Sequence, residues 1–436
     1  MKRVVKFITL GCKVNQYETN AMAQKFLEKG YKVIEEYEQN GEKPDICIIN
    51  TCTVTNMSDR KSRQMLRREK ENNKNVIVVA VGCYAQVAKN ELNKIPEIDL
   101  VLGNNEKVDI VKYVEDYINE NENNIEIEDV MQSRLFSDFG DITFTEKTRA
   151  VVKIQDGCDR FCSYCIIPYA RGRVRSRKPE SIISEITKIA EKDIKEVVIT
   201  GIHIASYGKD FKEEYKLIDL LEEINKIDGI ERIRLGSIEP LLITDEFVER
   251  LKKIDKICHH FHLSLQSGCD ETLKRMNRRY TTEQFKEIVK RLRNTYSDVN
   301  LTTDIIVGFP GETEEEFEKT YKFLDEIKFY KMHIFKYSQR KGTKAAVMQN
   351  QIPGDIKELR SRRLIELSNK NEFEINQKYI GKKVEVLFEE EKEGVFKGHT
   401  ANYILVYCND EKENLSNKIQ EVECIQNLND HILAKC

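Results

Sequence analysis

The sequence predicts a three-part α/β protein: an N-terminal open parallel sheet, a central partial (β/α)6 barrel and a small C-terminal β-barrel of OB size. Three observations carry this reading. Short runs rich in Val and Ile alternate with amphipathic helical segments from residue 4 to beyond residue 330, the pattern of parallel strands covered by helices. The alternation breaks once, at the polar and acidic stretch NENENNIEIEDVMQSR (119–134). The last 60 residues lose the helical period and carry short alternating runs with Gly and Asn turns. A length of 436 residues agrees with three domains at about 150 residues each.

In chain order, VVKFITL (4–10), DICIIN (45–50), VIVVAV (76–81) and DLVLG (99–103) read as buried strands of the first sheet. Between the first two lies AMAQKFLEKG, a helix stopped by Gly30. Residues 1–118 form the first domain, and 119–148 read as a linker or a peripheral hairpin. From 149 to 372 come six strand candidates: AVVKIQ (150–155), EVVIT (196–200), RIRLGS (232–237), HFHLSL (260–265), TTDIIVGF (302–309) and KMHIFKYS (331–338). Pro179 sits at a favoured first helical position, and Thr313 with Glu316 makes a capping box. Six units rather than eight make the barrel partial. A charged helix is expected over 353–377. The third domain, 373–436, contains KKVEVLFEEE, VFKGHT and NYILVYC as strands.

Composition excludes several classes. Apolar residues make up 40% and the net charge is −3, so the chain is neither disordered nor a uniformly basic nucleic-acid binder. No run approaches the ~20 apolar residues of a membrane span, and the basic start lacks a cleavable leader pattern. The expected compartment is the cytoplasm, where clustered cysteines mean metal or redox chemistry more often than disulfides.

Six of the 12 cysteines form two patterns. Cys158, Cys162 and Cys165 lie in CDRFCSYC, directly after the first barrel strand. Zinc favours four ligands in two separated pairs; three thiols on one loop suit a [4Fe–4S] cluster with one iron left open. An incidental cysteine-rich loop is the plain alternative. Cys12, Cys52 and Cys83 each follow a strand of the first sheet, at the carboxyl edge where open α/β folds bind ligands. A lone cysteine in a strand is usually a small core residue, as expected for Cys47. Three at equivalent strand ends read as a second three-thiolate cluster. Walker A and dinucleotide GxGxxG motifs are absent.

CxxxCxxC after the first strand of such a barrel resembles the radical S-adenosylmethionine (SAM) superfamily. That resemblance implies that the open iron chelates SAM and that Tyr164 lies near the SAM adenine; an aromatic packed beneath the loop is the other reading of Tyr164. TLGCKVNQYET, NTCTVT, VAVGC, CDRFCSYC with IIPYARGRVRSR, HLSLQSGCDETLKRMNRRYT (262–281) and TTDIIVGFPGETEEEF (302–317) are together similar to the methylthiotransferase family along nearly the whole chain. The last domain resembles that family's TRAM RNA-binding module. TLGCKVNQYET is similar to the branch that modifies N6-threonylcarbamoyladenosine at position 37 of tRNA, whereas the isopentenyladenosine branch carries a GCQMN-type motif and the branch acting on a ribosomal-protein aspartate carries GCPKN. The resemblance implies two [4Fe–4S] clusters, SAM, the tRNA anticodon loop as partner, an electron donor such as flavodoxin or ferredoxin, a sulfur source and no membrane. An iron–sulfur electron carrier or redox sensor is the alternative of a different class.

RNA contact requires local positive charge. ARGRVRSRK (170–178) places five cations in nine residues beside the cluster loop and is the favoured contact. The helix around 60–70, RMNRR (275–279) and RSRR (360–363) add others. Phe396 and Tyr403 offer stacking faces, with core packing the preferred role for both. His262 is read as pointing toward the barrel mouth from its strand, with a satisfied core or loop histidine as the default.

Overall fold

A computed structural model describes residues 3–34, 43–120, 127–144, 148–409 and 414–435. The first domain is a five-stranded parallel sheet of β1 (Val4–Thr9), β2 (Lys32–Ile34), β3 (Ile46–Thr51), β4 (Ile77–Gly82) and β5 (Leu100–Val101), in the order β2-β1-β3-β4-β5. Helix α1 (Lys13–Glu28) follows β1, and Gly30 ends it with φ +86°. Helix α2 (Asn56–Asn72) follows β3, capped by Thr55, and the short helix α3 (Cys83–Val87) follows β4. Both sheet faces are covered, so β3 is buried at every position.

The second domain holds six parallel barrel strands. β6 (Arg149–Asp156), β8 (Glu196–Gly201) and β9 (Arg232–Leu235) form one sheet, edged by the short antiparallel β7 (Arg175–Ser176). β10 (Ser237–Ile238), β11 (His260–Leu263), β12 (Asn300–Val307) and β13 (Lys331–Lys336) form the next. Only Gly236 separates β9 from β10, so the two sheets continue one into the other. All six expected strands are present. Pro179 opens its helix. The Thr313 capping box forms, Thr313 Oγ1 accepting from Glu316 N and Glu316 Oε2 accepting from Thr313 N, both at 3.2 Å. Outward residues such as Val152, Ile199, Leu235, Phe261 and Ile305 meet the surrounding helices in the largest core. Inward residues are mostly polar: Lys153, Thr200, Arg234, His262, Thr302 and Asp304.

The expected helix spans Gly354–Gln377. Beyond it β14 (Lys383–Lys392), β15 (Val395–Thr400), β16 (Leu405–Asn409), β17 (Ile419–Asn427) and β18 (Ile432–Lys435) close into a barrel in the order β14-β15-β16-β18-β17. Phe396 is buried in its core. Tyr403 does something else. It tops the turn between β15 and β16 at φ +74° and closes the amino-terminal end of the larger barrel. Its ring stacks on His260 at 4.4 Å, and the Arg234 guanidinium lies over it at 5.0 Å. Arg234 also donates to the carbonyls of Ala401 (3.0 Å) and Thr400 (3.2 Å) while paired with Glu196. The small barrel is therefore the floor of the larger one, opposite the mouth.

The stretch read as a linker or peripheral hairpin differs from that expectation. Residues 127–144 contain no strand. They lie against the first domain, with Phe139 and Ile142 buried in its core and Asp138 paired with Arg177 at 3.2 Å. Scattered apolar side chains, Val130, Phe139 and Ile142 buried among them, anchor this segment at a spacing that shows no periodic face. The rest of the span, 121–126 and 145–147, lies outside the described residues. No described helix is long and apolar enough to cross a membrane.

Candidate functional site

The two cysteine sets each converge. β1, β3 and β4 are immediate neighbours, and strands pair at about 4.8 Å. Cys12, Cys52 and Cys83 therefore emerge side by side at one edge, close enough that the Cys52 thiol feels both others. The turn after β1 is tight: Gly11 has φ +107°, and a Cβ there would lie 2.9 Å from Cys52 Cβ and 3.0 Å from its Sγ. Only glycine lets the two backbones approach this closely. Cys12 is exposed while Cys52 and Cys83 are buried.

Cys158, Cys162 and Cys165 share the loop after β6, and each of Cys158 and Cys165 feels Cys162. Gly157, at φ +72°, admits the turn; a Cβ would stand 1.8 Å from the Arg173 carbonyl oxygen. Cys158 N donates to Gly172 O at 3.0 Å, and Ser163 N to Met276 O at 3.0 Å. Burial pushes the Cys52 and Cys158 thiols up to about 11 and Cys165 up to about 12. An arginine stands beside one thiol of each set: Arg171 Nε donates to Cys83 Sγ at 3.1 Å, and Arg278 Nη1 to Cys162 Sγ at 3.4 Å. Each guanidinium thus places an N–H donor and a positive charge beside one sulfur of its set. Tyr164 packs edge-on to Phe309 at 6.4 Å beneath the loop.

Tertiary contacts hold the two sets on one opening. The first domain spans the open side of the partial barrel. On the β6 side, Glu18 of α1 binds Lys153 (2.7 Å), Lys107 (2.6 Å) and Arg171. Arg171 also donates to Asn15 Oδ1 at 2.8 Å and reaches Asp156 at 3.3 Å. Burial raises the Glu18 carboxyl, but Arg171, Lys107 and Lys153 outweigh it and hold Glu18 well below the usual range. Asp156 is likewise held down to about 2: burial raises it, and Lys153, Arg171 and Arg175 overcome that. On the β13 side, Arg340 binds Asp59 (2.7 Å) and Thr53 (2.7 Å), residues just after Cys52. Asn56 N donates to Ser338 Oγ at 3.0 Å. The Cys12–Cys52–Cys83 edge thus faces the barrel mouth, where Cys158 begins its loop. One polar knot links the two regions, running from Cys83 through Arg171 to Asp156, which lies two residues before Cys158.

That knot corrects the reading of 170–178 as the RNA contact. Arg171, Arg175 and Arg177 are 0–1% exposed and bonded inside the protein, Arg175 to the Arg171 carbonyl at 2.8 Å and Arg177 to Glu185 at 2.7 Å. Only Arg173 and Lys178 of this stretch face solvent. RMNRR and RSRR are partly internal too: Arg275 pairs with Glu316, and Arg360 with Glu312 at 2.8 Å. Helix α2 keeps Arg60, Lys61, Arg67 and Arg68 exposed, beginning four residues after Cys52. The knot residues Asn15, Glu18, Lys107 and Lys153 escaped sequence reasoning. Their only trace is polarity at positions where an apolar pattern is expected, such as Lys153 inside AVVKIQ.

Lys13 reaches the barrel lumen from α1, which packs on β6 and β8. Burial first, then Arg149 and Arg234, pull its ammonium down to about 8. His262 faces the same lumen, its Nδ1 3.0 Å from Thr302 Oγ1.

Comparison with known proteins agrees with this architecture. Residues 152–324 match the radical SAM superfamily model, and 4–103 match a family described as uncharacterized protein family UPF0004. The chain is 43% identical over 408 residues to the threonylcarbamoyladenosine tRNA methylthiotransferase MtaB of Bacillus subtilis, covering 92% of this chain and 89% of that protein. It is 42% identical to the MtaB of Aquifex aeolicus, covering 92% and 95%. A tRNA-2-methylthio-N(6)-dimethylallyladenosine synthase of Thermoanaerobacter is 38% identical, covering 87% and 81%. Among solved structures, the radical SAM methyltransferase TsrM of Kitasatospora setae shares the fold at 16% identity, with a TM-score of 0.59 and coverage of 80% and 77%. With two three-thiol sets facing one barrel mouth and full-length relatives above 40% identity, the chain belongs to the radical SAM methylthiotransferase family.

Proposed function

We propose that this protein is a tRNA methylthiotransferase that places a methylthio group on C2 of N6-threonylcarbamoyladenosine at position 37 of tRNA. The observation that carries the reading is the pair of three-cysteine sets held on one opening by the Glu18–Arg171–Asp156 knot. Each set offers three thiols, with a guanidinium beside one of them. That donor chemistry fits [4Fe–4S] clusters with one open iron each. When bound, the clusters and SAM supply a radical able to remove an adenine C2 hydrogen, and the sulfur that replaces it.

This chain's own residues hold and orient. Cys158, Cys162 and Cys165 would hold the cluster that serves SAM cleavage, and Cys12, Cys52 and Cys83 would hold the one that supplies sulfur. Tyr164, packed on Phe309 beneath the loop, would support the adenine of SAM. Arg171 and Arg278 each donate to one sulfur of a set, Cys83 and Cys162 respectively. Domain docking across the barrel makes both steps local to one cavity, the condition for effectively intramolecular reaction. The exposed cations of α2, with Arg173 and Arg279, give the anticodon loop a basic approach to the mouth. The domain limits 1–118, 149–372 and 373–436, with 119–148 connecting the first two, follow the same division of labour. A flavodoxin- or ferredoxin-type donor supplies electrons, a separate source supplies sulfur, and the reaction runs in the cytoplasm.

The test is mass spectrometry of tRNA nucleosides from cells lacking the protein. Loss of the methylthio-threonylcarbamoyl nucleoside alone is expected. Loss of the methylthio-isopentenyl nucleoside instead overturns the substrate.

A further inference from the structure

The luminal faces of β11, β12 and β13 carry polar groups that sulfur insertion does not use. Strand pairing sets His333 beside Asp304 and His262 beside Thr302. Alternation along the strands then puts His262, Asp304, His333 and Phe335 on the inner face, while Ile305, Val307 and Met332 enter the outer core. A ring nitrogen of each histidine and a carboxylate oxygen of Asp304 all lie within 4.8 Å of one another. His262 Nε2 is buried and 3.2 Å from Asp304 Oδ2, yet without hydrogen-bond geometry. Neither the Asp304 carboxylate nor the His333 imidazole has a hydrogen bond among the described residues. Lys13 has no carboxylate within ion-pair distance among them, and its charged neighbours are Arg149, Arg234 and, farther off, Glu196. His333 is open to solvent, so the lumen is an accessible cleft. Phe335, 44% exposed, forms an apolar wall toward the mouth. His262 Nε2 is buried without a partner, and with Asp304 and His333 beside it the cleft offers a polar ligand several hydrogen bonds at one place.

We propose that His262, Asp304, His333 and Lys13 form the subsite for the polar N6 substituent of the target adenosine and set the choice between a threonylcarbamoyl and an isopentenyl group. The proposal rests on the threonylcarbamoyladenosine reading above and adds the residues that enforce it. The threonylcarbamoyl group brings N–H donors, a hydroxyl and a carboxylate. Asp304 accepts from an N–H or the hydroxyl. Lys13 and His333 donate to the carboxylate, and His262 accepts or donates according to the tautomer that Thr302 sets. Phe335 lies along the purine. An isopentenyl group would leave all four polar side chains unpaired, the situation in which a hydrogen-bonding site rejects an apolar analogue.

The experiment measures binding of the cluster-loaded enzyme to two fluorescent anticodon stem-loops that differ only in the N6 group, threonylcarbamoyl or isopentenyl. The wild type is expected to prefer the first. Lys13→Gln, His333→Ala and Asp304→Asn should each weaken binding to it by about 10–100-fold, the range for a lost charge-assisted hydrogen bond, and leave the isopentenyl loop unaffected. Lys13→Arg should keep the preference. Iron content reports whether each variant still carries its clusters. Asp304→Asn, isosteric and remote in sequence from every proposed cluster ligand, keeps the test decisive if Lys13→Gln loses iron. Variants that retain the wild-type preference overturn the subsite while leaving the substrate reading intact. A wild type that itself prefers the isopentenyl loop overturns the substrate reading and the subsite with it. Two imidazoles and a carboxylate are also the donor set of a divalent metal site. One non-iron divalent ion per chain by elemental analysis, lost in His333→Ala, overturns the proposal in favour of that metal.

Discussion

Glu18→Gln tests whether the buried knot holds the two domains in register. The Glu18 side chain is 1% exposed and accepts from Lys107, Lys153 and Arg171, whose side chains are 0–2% exposed. Glutamine keeps the shape but removes the charge, leaving three buried cations against Asp156 alone. Asp156 already serves Lys153 at 2.6 Å and Arg171 at 3.3 Å. Lys107 makes its one ion pair with Glu18 and would be left without a carboxylate. Stranding a buried charge costs about 3–5 kcal/mol. For a domain of this size that lowers the melting temperature by about 8–15 °C, read by far-UV circular dichroism. Adding Lys107→Met should recover part of the loss, because the stranded ammonium goes too, and the double-mutant cycle isolates that pair. The same knot fixes the acid response. Glu18 and Asp156 are held below their unfolded values, so their stabilisation is complete above the ordinary carboxylate pKa of about 4. It is lost as pH falls through the folded values, near 2 for Asp156. A Glu18→Gln loss under about 1 kcal/mol, the worth of an exposed pair, would refute the reasoning.

Other outcomes follow from the same geometry. Wild type should carry about eight irons per chain after anaerobic reconstitution, and the Cys12/Cys52/Cys83→Ala variant about four; an unchanged iron count sinks the two-cluster reading. Gly157→Ala drives a Cβ to 1.8 Å from the Arg173 carbonyl, so iron at the Cys158 loop should fall while the other set stays loaded; full loading would show that the turn tolerates a side chain. Arg60→Glu with Arg68→Glu should weaken tRNA binding and flatten its salt dependence by about 0.7 per lost phosphate contact on single-stranded RNA, whereas an unchanged slope removes α2 from the RNA interface. Tyr403→Ala opens the barrel floor and loses the His260 and Arg234 contacts. About 2–3 kcal/mol is expected in urea unfolding, below the range for a fully buried aromatic because Tyr403 is half-buried, and a neutral result refutes the floor.

What the sequence shows and what it hides divide along a physical line. The strands, the Gly30 stop, the Thr313 capping box and both cysteine sets were legible because each is a local event. A Val/Ile run, a cap or a thiol after a strand needs only its neighbours to have meaning. Even the convergence of Cys12, Cys52 and Cys83 required only that their strands be adjacent in one parallel sheet. Charge is different, because a guanidinium looks the same facing water or facing a carboxylate. The run 170–178 reads as a basic surface until Glu18, Asp156 and Glu185 are placed against it. Glu18 lies 153 residues from Arg171, beyond any window of local pattern. Tyr403 follows the same rule: its partners His260 and Arg234 belong to another domain. Buried polar contacts join the domains, whereas apolar periodicity builds each domain alone. The features that bring two sulfur sites to one opening are therefore the ones a linear reading assigns to the wrong surface. The net charge of −3 is blind to this, because it counts a buried, paired arginine and an exposed one alike. Only the fold shows that three of the arginines in 170–178 are spent inside the protein.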